Sequence, residues 1–157
     1  ASGRFIAFTS GAFTGSIAQA NYASAKGAIV SLVKSVAAGM HRYNVTANAI
    51  APVARTRMSE NVPMELDMGT PEDVAPMVVY LLPDKAQEVT GQIYTANGGT
   101  IAVWDQPKEV REMRKDGRWT PEEIEARFAE VGVEPLPLIA QIEERRKAAA
   151  SGEKPNA

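Results

Sequence analysis

Apolar residues follow two different periods in the first part of the chain. Residues 5–9 form a short continuous apolar run, which is typical of a strand buried on both faces of a parallel sheet. Residues 22–40 contain no proline, and their apolar positions recur at the spacing of one helix face. Residues 45–50 form a second run of the strand type. A strand, a long helix and a strand in this order predict a right-handed parallel unit.

A helix and a third strand are predicted after this unit. Residues 70–73 read Thr-Pro-Glu-Asp, which places a capping hydroxyl, a proline at the first helical position and acids near the positive helix end. We therefore expect a helix that continues to Leu82, with a slight bend at Pro76 because proline lacks a backbone donor. Residues 91–96 predict a third strand.

The distribution of charge divides the chain into two parts. Residues 1–104 contain 14 charged residues, whereas residues 105–157 contain 22. The first part is predicted to be a packed α/β domain and the second a charged helical extension. Within the extension, a capping box at 120–123 predicts a helix to about residue 130, and residues 138–150 carry a second helical pattern.

Composition excludes several classes of function. The formal charge is -2, so the chain has no overall cationic field for binding nucleic acid. It contains no cysteine and one histidine, which argues against a metal site. No apolar run approaches the roughly 18 residues that cross a bilayer, and no leader sequence is recognisable. We expect no nucleic-acid partner, no metal, no membrane and a cytoplasmic location.

Tyr22 and Lys26 are the candidate catalytic pair. They lie four residues apart at the start of the predicted long helix, so their side chains share one face. A nearby cation favours the phenolate form of tyrosine, which makes the ring usable as an acid and a base. Hydride transfer between an alcohol carbon and a nicotinamide needs such a group, and a hydroxyl from Ser10 or Thr9 can hold the substrate oxygen.

The same spacing also has an ordinary explanation. With four tyrosines and seven lysines in the chain, such a pair arises by chance in roughly one chain in five of this composition. A tyrosine at the edge of the core and a solvated lysine would then have no joint role. The setting of the pair, at the start of a helix that follows a predicted strand, raises the weight of the catalytic interpretation, and both interpretations stay open at this point.

Five motifs occur in the order found in short-chain dehydrogenase/reductases, which the chain resembles over about residues 3–104. They are FTS at 8–10 with Gly15, QANYASAK at 19–26, VTANAIAP at 45–52, PEDVA at 71–75 and VTGQ at 89–92. The resemblance implies an α/β fold, namely the C-terminal half of a Rossmann-like doubly wound parallel sheet. Residues 51–58 and the charged extension most resemble the (R)-3-hydroxyacyl-CoA dehydrogenase branch of peroxisomal multifunctional enzymes and their bacterial relatives.

The resemblance implies a role for each site residue. Tyr22 is the expected proton donor and acceptor, Lys26 supports it and binds the nicotinamide ribose, and Ser10 orients the carbonyl. The expected cofactor-binding residues are Tyr22, Lys26, Pro52, Val53, Ala54 and Thr56. The expected cofactor is NAD or NADP, and the expected partners are a small-molecule substrate and further copies of the chain in a homo-oligomer.

The chain departs from the family pattern at two of these positions. The family serine usually precedes the tyrosine by thirteen residues, whereas Ser10 lies twelve before Tyr22 and Thr9 lies thirteen before it. We prefer Ser10, assuming a deletion in the glycine-bearing turn that follows, because a turn absorbs a change of length more easily than a strand. Val53 replaces the usual glycine, which restricts the backbone at that position.

The glycine-rich turn that cradles a dinucleotide pyrophosphate is not recognisable in the sequence. We therefore expect the glycine-rich cofactor half to be missing and the isolated chain to be inactive. The parent protein is expected to be an NAD(P)-dependent oxidoreductase that interconverts a secondary alcohol and a ketone, with a 3-hydroxyacyl or 3-oxoacyl thioester as substrate. The alternative is a catalytically inactive half-domain that acts as an assembly or structural partner.

Overall fold

A computed structural model describes residues 2–55 and 68–151 of the chain. It comprises two compact units, Ala1–Asp105 and Gln106–Ala157. The first unit contains strands β1 (Gly3–Phe8), β2 (Val45–Pro52), β3 (Ile93–Asn97) and β4 (Thr100–Val103) with helices α1 (Ala20–Met40) and α2 (Ala75–Tyr80). The second contains helices α3 (Pro121–Arg127) and α4 (Pro137–Ser151).

The four strands form one sheet in the order β1-β2-β3-β4. The pairs β1–β2 and β2–β3 are parallel, and β3–β4 is antiparallel. The predicted α/β fold and its strand–helix–strand unit are therefore confirmed. Strand β4 was not predicted, although Asn97-Gly98 is a recognised hairpin signal. Asn97 pairs with Thr100 across a two-residue loop in which Gly98 has a φ of +50°.

The two helices of this unit cover opposite faces of the sheet, because side chains alternate along each strand. Val33 of α1 packs with Ala47, Ala49 and Ile93 on one face. Met77 of α2 packs with Ile50 on the other face. The connections β1–α1–β2 and β2–α2–β3 both step in the same direction across the sheet. Because their helices lie on opposite faces, the two connections have opposite hands. One of the two therefore departs from the common right-handed crossover.

Strand β1 is less buried than its sequence predicted. Phe5 is 38 % exposed and Phe8 is 48 % exposed, so the expectation of a strand buried on both faces is wrong for the described residues. The physical reason is that β1 pairs with β2 along one edge, and no described strand pairs with its other edge. Strand β2 lies between two parallel neighbours and is buried along nearly its whole length.

The single helix predicted from residue 70 to residue 82 is also wrong. A 3-10 turn at Pro71–Asp73 is followed by the short helix α2, with Pro76 in its first turn. Proline has no N–H to donate and its ring obstructs a preceding helical turn, so a helix can begin at Pro76 more easily than pass through it. Thr70 and Asp73 form a capping box, in which Asp73 Oδ2 accepts from the Thr70 N–H at 2.6 Å and from the Thr70 hydroxyl at 3.0 Å.

Asn48 links β2 to the segment that leads into β3. Its side chain is 1 % exposed, and its Nδ2 group donates to the Val89 carbonyl at 2.7 Å. Its Oδ1 atom accepts from the Gln92 N–H at 3.0 Å. Since a buried amide side chain is costly unless it is hydrogen-bonded, these bonds explain why the motifs at 45–52 and 89–92 occur together.

The second unit is organised around a capping box and a tryptophan. The Thr120 hydroxyl accepts from the Glu123 N–H at 3.3 Å, and Glu123 Oε2 accepts from the Thr120 N–H at 2.8 Å, which confirms the predicted start of α3. The cations of Lys115 and Arg127 lie 5.4 and 5.0 Å from the centre of the Trp119 ring.

Within residues 2–55 and 68–151, no helix is long and apolar enough to span a membrane.

Candidate active site

The carboxyl ends of β1 and β2 meet the start of α1 at a cavity of about 690 Å³. In open α/β sheets, ligands bind beyond the carboxyl ends of the strands, so the position of this cavity is that of a ligand site. Its lining includes five of the residues predicted from the sequence: Ser10, Tyr22, Lys26, Pro52 and Ala54.

Lys26 connects the end of β1 to the Tyr22 ring. Its ammonium group donates to the Phe8 carbonyl at 3.1 Å and lies 5.6 Å from the centre of the Tyr22 ring. Both side chains come from the first turns of α1, where four-residue spacing places them on one helix face. Tyr22 is 42 % exposed, so its hydroxyl is accessible to a ligand in the cavity.

The two candidate hydroxyl groups at the end of β1 differ in their surroundings. Thr9 is 2 % exposed, and its hydroxyl donates to the Lys26 carbonyl at 2.8 Å. The Ser10 hydroxyl accepts from the Ala12 N–H at 3.3 Å. Since a hydroxyl has one proton to donate, Thr9 uses its donor to hold α1 against β1, whereas the Ser10 hydroxyl donates to no residue in 2–55 or 68–151. The sequence analysis did not predict this anchoring bond.

The segment after β2 is held by backbone hydrogen bonds. The Val53 N–H donates to the Ala96 carbonyl at 2.9 Å, and the Arg55 N–H donates to the Gly69 carbonyl at 2.7 Å. Pro52 and Ala54 line the cavity, and Val53 is not among its lining residues. Thr56, also predicted to bind the cofactor, lies outside the described residues.

An apolar wall of the cavity was missed by the sequence analysis. It is formed by α2 and the turn before it: Pro71, Val74, Ala75, Val78 and Val79. The motif at 71–75 was used as a mark of family resemblance and as a helix start, and neither use indicates which surface the helix presents. No local pattern marks these residues, because the wall forms only when α2 packs across the sheet from β1.

Gly69 helps to fix the position of the apolar wall, because it lies in the segment that leads into α2. An alanine Cβ at this position would overlap the Gly98 nitrogen, far inside contact distance. The Gly69 N–H donates to Asn97 Oδ1 at 2.9 Å, so the chain entering α2 is clamped against the β3–β4 turn. Glycine is required here for close approach of two backbone segments.

The family model described as enoyl-(acyl carrier protein) reductase matches residues 1–100. The chain belongs to the short-chain dehydrogenase/reductase family. A crystal structure of a short chain dehydrogenase from Mycobacterium avium is 43 % identical, with a TM-score of 0.70, over 82 % of this chain and 44 % of that chain. The resemblance to this family and the Rossmann-like fold expected from the sequence are thereby confirmed.

Two curated members of the family illustrate how much of such a protein the chain covers. A hydroxyacyl-CoA dehydrogenase of Mycobacterium tuberculosis is 35 % identical over 134 residues, which are 79 % of this chain and 42 % of that protein. A peroxisomal hydratase-dehydrogenase-epimerase of Neurospora crassa is 34 % identical over 121 residues, which are 74 % of this chain and 13 % of that protein. The chain therefore spans less than half the length of these relatives.

Metal-binding residues do not converge in the described part of this family member. Across residues 2–55 and 68–151, no group of three His, Cys, Asp or Glu side chains is placed to hold a metal ion. The polar groups of the cavity are instead hydroxyls and one ammonium, contributed by Thr9, Ser10, Tyr22 and Lys26. This donor set is suited to hydrogen bonding and proton transfer.

Proposed function

We propose that this chain carries the proton-transfer centre of an NAD(P)-dependent oxidoreductase that interconverts a secondary alcohol and a ketone. The observation that carries the proposal is the convergence of Ser10, Tyr22 and Lys26 on one cavity at the carboxyl ends of β1 and β2. Membership of the dehydrogenase/reductase family supports the reaction class. A boundary tyrosine and a solvated lysine without a joint role would not be expected to share a cavity with a third polar group.

In this proposal each side chain has a separate task. During alcohol oxidation Tyr22 accepts the hydroxyl proton of the substrate, and during ketone reduction it returns a proton to the same oxygen. Ser10 donates a hydrogen bond to that oxygen, where negative charge develops. A bound nicotinamide would supply or accept the hydride at the neighbouring carbon.

Lys26 has the donors required to hold the ribose of the nicotinamide. An ammonium group has three donors, and the Phe8 carbonyl accepts one of them at 3.1 Å. The two that remain suit the pair of ribose hydroxyls, and the ammonium group also lies 5.6 Å from the centre of the Tyr22 ring. Pro52 and Ala54 add apolar surface beside this position. The residues therefore fit the nicotinamide end of the cofactor.

The choice of Ser10 over Thr9 as the active hydroxyl is supported by their hydrogen bonds. Thr9 is buried and donates its proton to the Lys26 carbonyl. A substrate could recruit that proton only by breaking the link between β1 and α1. Ser10 accepts from Ala12 and can still donate to a ligand.

We propose a 3-hydroxyacyl or 3-oxoacyl thioester as the substrate. Support comes from the names of relatives, a hydroxyacyl-CoA dehydrogenase and a peroxisomal hydratase-dehydrogenase-epimerase, and from the acyl-carrier description of the family model. The apolar wall from Pro71 to Val79 is compatible with a partly hydrocarbon ligand.

We also propose that the protein forms a homo-oligomer. Light scattering after gel filtration would measure its molecular mass in solution.

The decisive experiment compares tyrosine variants of the parent protein, in which the glycine-rich cofactor half is expected to be present. Reduction of acetoacetyl-CoA is followed by the loss of NADH or NADPH absorbance, with acyl-carrier and steroid ketones assayed in parallel. Tyr22→Phe should lower kcat by about 10²- to 10⁴-fold, the usual contribution of a general acid or base. Tyr43→Phe is the matched control, since Tyr43 is 47 % exposed and stacks on Arg42 beyond the far end of α1. Equal rates for Tyr22→Phe and the wild-type protein would refute the proposal.

A second candidate function is an inactive half-domain that assembles with another polypeptide. The observation that favours it is the half-exposed β1, where Phe5 and Phe8 lie beside an edge without a described partner strand. Under this proposal the isolated 157-residue chain does not turn over either cofactor. Turnover of an acetoacyl thioester by the isolated chain would eliminate the second candidate.

A further inference from the structure

Ser10 is coupled rigidly to the 3-10 turn Gly11–Thr14 that follows it. The Ser10 carbonyl accepts from the Phe13 N–H at 2.9 Å, and its hydroxyl accepts from the Ala12 N–H at 3.3 Å. The Gly15 N–H then donates to the Ala12 carbonyl at 2.9 Å. With both the backbone and the side chain of Ser10 bonded to the turn, a displacement of the turn displaces the hydroxyl.

One aromatic contact holds this turn from the side of the sheet. The rings of Phe13 and Trp104 meet edge to face, with centres 4.8 Å apart and planes at 65°. The Trp104 ring also lies beside Gly11, since an alanine Cβ at position 11 would be 3.8 Å from its Cζ2 atom. Edge-to-face aromatic pairs contribute attraction beyond their buried area and fix the relative orientation of the rings.

Trp104 is itself fixed to the sheet at two points. Its backbone N–H donates to the Ile93 carbonyl at 2.9 Å, directly after β4 ends. Its indole Nε1 donates to the Thr95 hydroxyl at 2.9 Å. Because the backbone and the ring are held by the same strand, β3, the indole is a stationary surface for Phe13 to rest on.

We propose that Trp104 is a positioning residue for Ser10, acting through Phe13 and the 11–14 turn. The proposal rests on the function proposed above, in which Ser10 hydrogen-bonds the substrate oxygen. It assigns a task to the residue that directly follows β4, about ninety residues away from Ser10 in the sequence. Loss of the indole leaves the residues of the 11–14 turn unchanged but no longer fixes their position. The turn should then shift, and the Ser10 hydroxyl should move away from the substrate oxygen.

Amide hydrogen exchange tests the positioning step without any need for turnover. The Phe13 and Gly15 amides are bonded within the turn, so Trp104→Ala should raise their exchange rates by about tenfold or more. Trp104→Phe should restore much of the protection, because a phenyl ring can still meet Phe13. Amides in the middle of α1, around the fully buried Val33, report global stability and should keep their protection. Trp119→Ala, a tryptophan change in the second unit, is the matched control.

Kinetics of the complete protein test the consequence for catalysis. Trp104→Ala should lower kcat by about three- to tenfold with a smaller change in KM, the range expected when one aromatic contact no longer fixes a group used in the transition state. Trp104→Phe should recover most of that loss. The double variant Ser10→Ala, Trp104→Ala should be no slower than Ser10→Ala alone, because Trp104 acts only through the serine.

Several outcomes would overturn the inference. Unchanged exchange at Phe13 and Gly15 would show that the turn does not depend on Trp104. Faster exchange throughout α1 would show a general loss of stability instead of positioning. Local exchange with an unchanged kcat, in a protein that Tyr22→Phe inactivates, would show that the turn's position has no catalytic effect. If Tyr22→Phe itself changes nothing, the proposed function fails, and the exchange data alone decide the structural part.

Discussion

Gly69→Ala should lower the free energy of unfolding by about 2 to 4 kcal/mol. The new methyl carbon would overlap the Gly98 nitrogen and would lie 2.7 Å from both the Gly98 Cα and Asp73 Oδ2. The two Gly98 atoms belong to the backbone, so movement of a side chain cannot relieve the clash with them. Overpacking of this kind costs about 1 to 3 kcal/mol. The hydrogen bond from Gly69 N–H to Asn97 Oδ1 should also be lost, at about 1 kcal/mol more.

Urea denaturation followed by tryptophan fluorescence measures this loss. Gly99→Ala is the matched control, because a Cβ at position 99 meets nothing within 4 Å and its φ is not in the left-handed region. The control should change stability by less than about 0.5 kcal/mol. Because Gly69 leads into the wall formed by Pro71 and Val74, Gly69→Ala should also raise KM for a bound substrate. A stability equal to that of the Gly99→Ala protein would refute the close-approach argument.

Three further changes have clear expected outcomes. Thr9→Val removes the hydrogen bond to the Lys26 carbonyl and should cost about 1 kcal/mol in the same urea titration; no loss would mean that this bond does not anchor α1. The Lys115 ammonium and the Thr120 backbone N–H hold the pKa of Glu123 below its usual range, so its stabilising contribution to α3 is present above the ordinary carboxyl pKa and is lost as the pH falls through the lowered value. Helix content measured by circular dichroism should drop across that acid range, and Glu123→Gln should flatten the drop. Gly39→Ala, in a helix and with open space around the Cβ, should stabilise the protein by about 0.5 to 1 kcal/mol, and a lower thermal midpoint would contradict this.

The predictable part of the fold comes from local periodicity and from strong start and stop signals. The apolar spacing over 22–40 predicted α1, and Asn44 adopts the expected left-handed conformation with a φ of +58°. The capping box at 120–123 predicted where α3 begins. In each case the deciding interactions lie within a few residues of one another, so the sequence contains them directly.

Where the sequence analysis was wrong, distant segments decided the outcome. The run at 5–9 has the composition of a strand buried on both faces, but burial depends on which strands lie beside it, and β1 has one described neighbour. The helix expected over 70–82 is divided into a turn and a short helix. Its entry is held by the approach of Gly69 to the β3–β4 turn, and no local pattern reports such a contact.

The candidate site shows the same division. Tyr22 and Lys26 are placed together by helical geometry alone, since four residues make about one turn, and their pairing could be foreseen from the sequence. Whether Thr9 or Ser10 faces a ligand was left to an argument about loop length. The structure bears on this choice through a hydrogen bond from the Thr9 hydroxyl to the Lys26 carbonyl, and these residues are seventeen positions apart.

By itself the sequence determined the chemical groups, their order along the chain and the family to which the chain belongs, because these depend on residue type and short spacing. Only the tertiary structure decided which face of α2 walls the cavity, that the Thr9 hydroxyl donates to the Lys26 carbonyl and that Trp104 packs against Phe13. The wall forms where α2 lies beside the carboxyl ends of β1 and β2, and the aromatic contact forms where Trp104, after β4, meets Phe13. Contacts between segments so far apart in the chain form when side chains pack around the sheet, and packing is a property of the whole fold.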